Sequence, residues 1–448
     1  MLKFIPMSKQ TKKKKKSTVR HTRSNQRDRS KRPIVAPPDE QISQHLGELL
    51  QPAIEAHQHL FKKLGMRNRT LTLSVVVAIV VSMIWRQLGS GGSEIARLLR
   101  TEGLLWTPAL VVSQQAISER LRFFPSKIFW HIFSYISSVL RERAQTRHRT
   151  LPPILEWAKE QYTVILAADG STLDALMRKT GLLRDDKVNP LAGKIMGVLD
   201  LCSWLPYSIW YDENAKVSDQ TFWDRIIATV PEGALLILDL GFTNFKAFAR
   251  LVNVTFITRA KTNLSFRLIK VNRTSSKGVR DWLVWIGEGD SLQKVRLVQV
   301  FYHGIWYRYL TNELNPNMLP VLHIANLYRQ RWSIEDAFNI VKRLLGLAYF
   351  WTGSQHGILL QLWTTWMLYG VLVDLTDDIA VKLDKPFMDI SMEMVYRGLY
   401  YFSQAYQKGE ANNIVDYLVS NASWLGIVKR RRKRSDTEFL PLTNPRAP

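Results

Sequence analysis

The stretch YTVILAADGST at residues 162–172 is a short apolar run that ends in a carboxylate, Asp169, followed by a glycine. A second run of the same kind, ALLILDLGF at 234–242, ends in Asp239 and again reaches a glycine two residues later. Runs of this length and composition are typical of buried strands. A charged group at the end of such a strand costs free energy unless it is paired or bound to a cation. The two runs therefore predict a sheet with two acids at one edge.

The segments around these runs indicate a mixed α/β sheet. KIMGVLDLCSW (194–204) and YSIWYDE (207–213) have the composition of two further strands, and VTFITRAK (254–261) that of another. SDQTFWDRIIATV (218–230) and NFKAFARLV (244–252) have helical periodicity. The predicted order β-β-β-α-β-α-β is that of a mixed sheet whose three leading strands form a meander.

Residues 262–318 interrupt this order with four segments that alternate apolar and polar residues, as half-exposed antiparallel strands do. We interpret them as an all-β insertion. The predicted domains are a basic disordered arm (1–40), a helical DNA-binding domain (41–150), a catalytic core (151–261 and 319–376), the insertion (262–318) and a helical C-terminal region with a basic tail (377–448).

Within the helical N-terminal domain, SEIARLLRTEG (93–103) and VSQQAISERLRFFP (112–125) are similar to the two helices of a helix-turn-helix, with Ser93 and Ser113 as N-caps. Gln114, Gln115, Ser118 and Arg120 are then candidates for a DNA groove. An ordinary helical hairpin fits equally well, because the hydrophobic TPALVV connection is not a standard tight turn.

Charge and composition favour nucleic acid as the partner. The formal net charge is +24, and residues 1–32 contribute thirteen lysines and arginines against the single acid Asp28. KRRRKR at 429–434 adds another cationic run. Such runs release counterions when they neutralise phosphates, although an anionic membrane is a competing partner. The apolar stretches 70–85 and 357–373 are short for a membrane span, so we expect two buried helices and no membrane.

The only cysteine, Cys202, excludes a disulfide framework within the chain. Together with the absence of an apolar segment after the first lysines, it predicts a cytoplasmic, nucleoid-associated protein.

The stretch YRQRWSIEDAFNIVKRLLG at 328–346 contains four polar residues at unusual spacing, Tyr328, Arg331, Glu335 and Lys342. At about 100° per residue, the four fall within an arc of about 60° on one helix. A solvated face with an Arg–Glu pair explains two of them. It does not explain Asp169 and Asp239, which need a third acid to form a divalent metal site for phosphodiester chemistry. Glu335 is the candidate for that acid.

As a set, DGST (169–172), DLGF (239–242) and Y-x2-R-x3-E-x6-K (328–342) resemble the DDE transposases of bacterial insertion sequences, in the subgroup with this Y-R-E-K signature and a β-rich insertion. The resemblance implies a ribonuclease H-like core in which Asp169, Asp239 and Glu335 are catalytic and hold two Mg²⁺, with Mn²⁺ as a substitute. It also implies that Tyr328, Arg331 and Lys342 contact phosphates at the transposon end. Trp332, beside them, is a candidate for stacking on a displaced base, although packing explains it as well.

The expected function is therefore Mg²⁺-dependent DNA cleavage and strand transfer at inverted-repeat ends, with double-stranded DNA (transposon ends and target) and a second protomer, as a homodimer in the synaptic complex, as partners. One alternative is a catalytically inert DNA-binding inhibitor or regulator of transposition. Another is a ribonuclease H-fold nuclease that cuts without strand transfer.

Overall fold

The computed structural model describes residues 39–86, 92–173, 193–275, 278–347, 350–351 and 354–429. The predicted basic arm, except for its last two residues, and the basic tail beyond residue 429 lie outside these ranges. The predicted order of strands and helices in the core is observed.

The described residues form one sheet of nine strands. Its strands are β1 (Ile165–Thr172), β2 (Lys194–Asp200), β3 (Pro206–Asp212), β4 (Leu235–Leu238), β5 (Thr255–Arg259), β6 (Arg267–Thr274), β7 (Val279–Ile286), β8 (Gln293–Tyr302) and β9 (Ile305–Thr311). Their order across the sheet is β3-β2-β1-β4-β5-β9-β8-β7-β6.

The first five strands form a mixed sheet, as predicted. β1, β2 and β3 pair antiparallel as a meander, whereas β1, β4 and β5 are parallel neighbours. Parallel strands are covered by helices on both faces, which is why β1 and β4 are continuous apolar runs rather than alternating ones. All four residues of β4 are buried.

The four insertion strands continue the same sheet. β9 pairs antiparallel with β5, and β8, β7 and β6 follow in turn. The prediction of alternating antiparallel strands is confirmed here. The sequence did not indicate, however, that these strands would extend the core sheet by hydrogen bonding to β5.

Fourteen α-helices occur in the described part of the chain. They are α1 (Asp39–Ala56), α2 (Gln58–Lys63), α3 (Leu73–Trp85), α4 (Gly92–Thr101), α5 (Gln114–Phe123), α6 (Ser126–Thr146), α7 (Pro153–Gln161), α8 (Trp223–Thr229), α9 (Phe245–Ala249), α10 (Val321–Gln330), α11 (Trp332–Asn339), α12 (Gln355–Lys382), α13 (Met392–Gln407) and α14 (Ile414–Ser420). Short 3₁₀ turns and a π-helical turn at Ile340–Leu344 complete the described elements.

The two apolar stretches are helices buried on most sides, as predicted. Among the described residues, α12 is long and apolar enough to cross a membrane, and most of it is buried inside the protein. It packs against α6, α3 and α13. α3 is buried over nearly its whole length.

Buried ion pairs connect α12 to the segment that follows α6. Arg147 contacts Asp374 and Asp377 at 2.5 and 3.6 Å, and Arg149 contacts Asp377 at 2.6 Å. Arg143 and Asp378 lie at the edge of the same group. Since the Asp374 and Asp377 side chains are only 3% and 1% exposed, these charges are stable only because they are paired.

Two helices, α4 and α5, are present where a helix-turn-helix or an ordinary helical hairpin was predicted (93–125). Ser113 caps α5 by accepting a hydrogen bond from Ala116, as predicted. Ser93 lies inside α4, so the prediction that it is an N-cap is wrong. Arg120 donates to the backbone oxygens of Arg67 and Leu71, so this side chain holds a neighbouring loop.

Candidate active site

Asp169 and Asp239 lie side by side at one edge of the sheet. β1 and β4 are parallel and in register, with Ala168 opposite Leu238. The next residue of each chain segment is therefore the acid. This is the convergence that the two apolar runs predicted, and the register of the parallel pair produces it.

Glu335 reaches the same place from α11, which packs on β1 and β2. Gly197 on β2 is directly opposite Asp169, and the ring of Phe338 lies over it. A Cβ at Gly197 would be only 3.1 Å from the Cζ of Phe338. The missing side chain at Gly197 thus lets the helix that carries Glu335 approach the strand that carries Asp169.

A single guanidinium connects the three acids. Arg331 contacts the Oδ2 of Asp169 at 2.9 Å through Nη1 and the Oε1 of Glu335 at 2.7 Å through Nη2. Its Nε lies 3.8 Å from the Oδ1 of Asp239. The structure therefore brings Asp169, Asp239 and Glu335 together around Arg331.

The electrostatics of this group differ from one acid to the next. Burial raises the pKa of Asp169 to about 6, and the neighbouring Arg331 limits that rise. The side chains of Asp239 and Glu335 are 41% and 35% exposed, against 16% for Asp169. Burial by itself would lower the pKa of Arg331, but the surrounding groups raise it, so this residue remains a cation. The site is closed on the side of Asp169 and open on the side of the other two acids.

Tyr328 belongs to the acid cluster rather than to the surface. Its hydroxyl donates to the Oδ1 of Asp239 at 3.2 Å, and its ring lies 5.2 Å from that of Tyr309 on β9. Burial raises its pKa well above the ordinary value, so the hydroxyl keeps the proton that it donates. The strand β9, which belongs to the predicted insertion, thus supports one wall of the site.

Lys342 and Trp332 lie on the outer side of the same helical segment. The Nζ of Lys342 donates to the backbone oxygen of Thr172 at 2.6 Å, at the end of β1. Trp332 is 58% exposed, and the Arg331 guanidinium lies 5.2 Å from its ring.

The single regular helix expected over 328–346 is wrong. α10 ends at Gln330, α11 begins at Trp332, and Lys342 lies on the π-helical turn Ile340–Leu344. Arg331 is the junction between α10 and α11. Single π-helical turns inside helices, such as Ile340–Leu344, are frequent at functional sites. Tyr328, Arg331 and Glu335 nevertheless share one edge, as their spacing predicted.

Sequence reasoning missed Asp219, which lies against both acid motifs. Its Oδ1 is 2.6 Å from the Nζ of Lys194, and a Cβ at Gly170 would lie 2.1 Å from that oxygen. A Cβ at Gly241 would lie 3.4 Å from Oδ2. The missing side chain at Gly170 therefore leaves room for this carboxylate, whereas a Cβ at Gly241 would be in ordinary van der Waals contact with it. The closely spaced glycines were the signal for such an approach, but they do not say which residue approaches.

Gln220, next to Asp219, holds the turn after Asp239. Its side-chain amide donates to the backbone oxygens of Gly241 and Thr243. Lys194 also donates to the backbone oxygen of Val217 at 2.9 Å. The segment around Asp219 thus ties the start of β2 to the turn after β4, behind the two acids.

The carboxylates of Asp169, Asp239 and Glu335 are suitable ligands for a hard divalent cation, but the distances between them in this structure are not those of a formed metal site. Carboxylate oxygens are the ligands that Mg²⁺ prefers. Among the described residues, no group of three His, Cys, Asp or Glu side chains is arranged to hold one ion. The reason is visible in the geometry, since Arg331 occupies the space between the acids.

Comparison with known proteins shows which family part of the chain resembles. Residues 193–370 match the family described as Transposase DDE domain. The match includes Asp239, Glu335 and the whole Y-R-E-K signature, and it begins after Asp169. The resemblance to DDE transposases of insertion sequences is confirmed by this match over residues 193–370 and by a related transposase.

One relative is the protein named "Putative transposase y4zB" of Sinorhizobium fredii (strain NBRC 101917 / NGR234). It is 26% identical over 186 residues, which are 40% of this chain and 50% of that protein. The chain thus matches about half the length of this relative. Among solved structures, the piggyBac transposase in a synaptic complex with hairpin DNA aligns over 87% of this chain and 84% of that chain, with a TM-score of 0.43 and 12% identity.

Proposed function

We propose that this protein is an insertion-sequence transposase that binds inverted-repeat DNA ends and catalyses Mg²⁺-dependent cleavage and strand transfer. The observation that carries the proposal is the register of β1 and β4, which sets Asp169 beside Asp239, with Glu335 facing them from α11. The transposase DDE domain over 193–370 supports the same activity. We also propose that β1–β5 and their helices are a ribonuclease H-like core, since a three-strand meander is followed by two parallel strands with helical connections.

In this proposal Asp169, Asp239 and Glu335 hold the metal through their carboxylate oxygens. The bound Mg²⁺ would activate the attacking oxygen and stabilise the leaving oxygen of the phosphodiester. The greater exposure of Asp239 and Glu335 supports a position of the DNA on their side of the site, with Asp169 as the buried ligand. Tyr328 orients Asp239 through its hydroxyl, and the turn held by Gln220 keeps Asp239 at the end of β4.

The DNA itself would lie along the outer side of the signature helix. Lys342 would contact a backbone phosphate as a point charge, and the exposed ring of Trp332 would stack on an unpaired base. Arg331 is a second cation close to the scissile phosphate. Because a transposition event joins two ends, we propose that two protomers act together, in the cytoplasm on nucleoid DNA.

The test uses DNA from the flanks of the coding sequence, where short inverted repeats identify the ends. Purified protein, this DNA and Mg²⁺ should give nicks at the repeat boundary and, with a target plasmid, joined products. Nicks without joined products would indicate the nuclease alternative. Binding without nicks, in Mg²⁺ and in Mn²⁺, would indicate the inert regulator.

Single substitutions then test the three acids. Asp169→Asn, Asp239→Asn and Glu335→Gln should each lower nicking by at least about a thousandfold and leave end binding nearly intact, because a metal ligand rather than a DNA contact is lost. Asp200→Asn is the matched control. Asp200 also ends a core strand, but β2 runs antiparallel to β1, so this acid lies at the opposite edge, bonded to Ser203 and the amide of Cys202. If Asp200→Asn lost as much nicking as the other three, the assignment of the site would be wrong.

A further inference from the structure

Arg331 differs from a surface arginine in both burial and contacts. It is only 5% exposed, although it belongs to a group that opens to solvent through Asp239 and Glu335. Its two terminal nitrogens each contact a different acid, and its Nε faces the third. An i, i+4 ion pair with Glu335 accounts for one of these three interactions. The other two connect α11 to strands β1 and β4.

The oxygens that Arg331 contacts are the oxygens that a divalent ion would need. Three carboxylates against one guanidinium leave a net charge of two negative charges, so the group still attracts a cation. Like-charged carboxylates held this close repel one another unless a cation lies between them. In the metal-free protein that cation is Arg331.

Resting on the proposed function, we propose that Arg331 is an internal counter-ion that assembles the three acids in the absence of metal and competes with the metal for them. Metal binding displaces the guanidinium from Asp169 and Glu335. In the absence of DNA, the guanidinium thus holds the three acids together and keeps a metal ion out. A DNA phosphate beside the exposed acids gives the guanidinium another partner, and the metal can then bind the acids.

The local structure gives the side chain a place to move. Arg331 is the junction between α10 and α11, so it does not lie within one continuous helix. Its guanidinium lies 5.2 Å from the ring of Trp332 and 5.8 Å from that of Tyr328. Trp332 is largely exposed, and its ring face stabilises a cation that moves outward from the acids.

The experiment measures Mg²⁺ binding to the DNA-free full-length protein, by calorimetry and by the change in melting temperature with Mg²⁺ concentration. Arg331→Gln should melt at a lower temperature than the unmodified protein without metal, because carboxylate repulsion is no longer offset. It should also bind Mg²⁺ at least about tenfold more tightly, because no cation competes for the ligands. Addition of Asp239→Asn to Arg331→Gln should abolish this tighter binding.

Weaker or unchanged Mg²⁺ binding by Arg331→Gln would overturn the proposal, since a residue that only positions Glu335 would loosen the site when removed. Arg331→Lys covers the case in which the glutamine variant does not fold. Lysine keeps the charge but lacks the planar fork with which Arg331 contacts two acids. The affinity of this variant for Mg²⁺ should therefore lie above that of the unmodified protein, and a lower affinity would equally overturn the proposal. Lys382→Met is the control, because it removes an exposed cation that is paired with Asp416 rather than with the three acids; it should leave Mg²⁺ binding unchanged.

The test of Arg331 and the test of the proposed function can fail independently of each other. Metal competition without nicking of the repeat-bearing DNA would leave the Arg331 inference standing and remove the transposase activity. If the protein nicks the DNA but Mg²⁺ binding does not depend on Arg331, the transposase activity stands and the Arg331 inference is wrong.

Discussion

Two groups of arginines and carboxylates in this protein form the same kind of ion pair but differ in charge balance. Between α12 and the segment after α6, Arg143, Arg147 and Arg149 face Asp374, Asp377 and Asp378, so the charges balance. At the edge of the core sheet, one guanidinium faces three carboxylates, two of which are more than a third exposed. The balanced group, in which Asp374 and Asp377 are almost fully buried, connects two parts of the fold. The unbalanced, open group has a negative charge and oxygens to offer a ligand.

Charge balance, rather than the presence of ion pairs, therefore separates the first group from the candidate site. Both groups contain hydrogen bonds between arginine and aspartate of about 2.5–3 Å. A search for ion pairs alone would rank them equally.

The largest expected difference between the groups is in stability. Asp377→Asn leaves Arg149 and Arg147 partly unpaired in the interior and should lower the free energy of unfolding by about 3–5 kcal/mol. Asp239→Asn removes one of three mutually repelling carboxylates and should leave that free energy unchanged or raise it. Denaturant unfolding of the two variants measures both. The exposed pair Lys382–Asp416 serves as the control, since Asp416→Asn should cost less than about 1 kcal/mol.

A smaller effect is expected when α11 is moved relative to the acids. Gly197→Ala places a Cβ 3.1 Å from Phe338, so the helix must shift by a few tenths of an ångström to avoid it. We expect nicking of end DNA to fall about tenfold, because active sites are sensitive to displacements of this size. Gly47→Ala is the control, since a Cβ there meets nothing within 4 Å; an equal loss of nicking in both variants would rule out the role of Gly197.

The smallest effect concerns the outer face of the same helix. Lys342→Ala should weaken binding to end DNA by a few fold and reduce the salt dependence of that binding by about one counterion, because one phosphate contact is lost. Binding measured across a series of salt concentrations gives the slope. An unchanged slope would place the DNA elsewhere and would leave Lys342 as a bond to the end of β1.

Much of the core could be predicted from the sequence because its elements are short and locally encoded. The apolar runs that became β1 and β4 and the alternating strands of the insertion were identified from periodicity and composition. The two strand-end acids and the third acid at Glu335 were likewise recognisable, since each is in a distinctive local context. The assignment of their catalytic, metal-binding and DNA-binding roles, and of the domain boundaries, stays a prediction.

The errors lie where local rules compete with packing. A uniform turn angle put Tyr328, Arg331, Glu335 and Lys342 on one helix, whereas the junction at Arg331 and the π-helical turn divide it. The resemblance made Arg331 a contact for phosphate, which stays a prediction, and the structure adds contacts with Asp169 and Glu335 that the sequence did not show. Serine is a common N-cap residue, but α4 begins at Gly92, one residue before Ser93.

The sequence by itself determined which residues were available, namely two acids at the ends of apolar strands and a carboxylate with cations at helical spacing. Periodicity and side-chain chemistry are properties of neighbouring residues, so they can be recognised without a fold. Only the tertiary structure decided that Asp169 and Asp239 are adjacent, that Asp219 lies behind both, and that Arg331 reaches an acid 162 residues away. These contacts depend on strand register and on how closely helices approach the sheet, which are set by the packing of segments far apart in the chain.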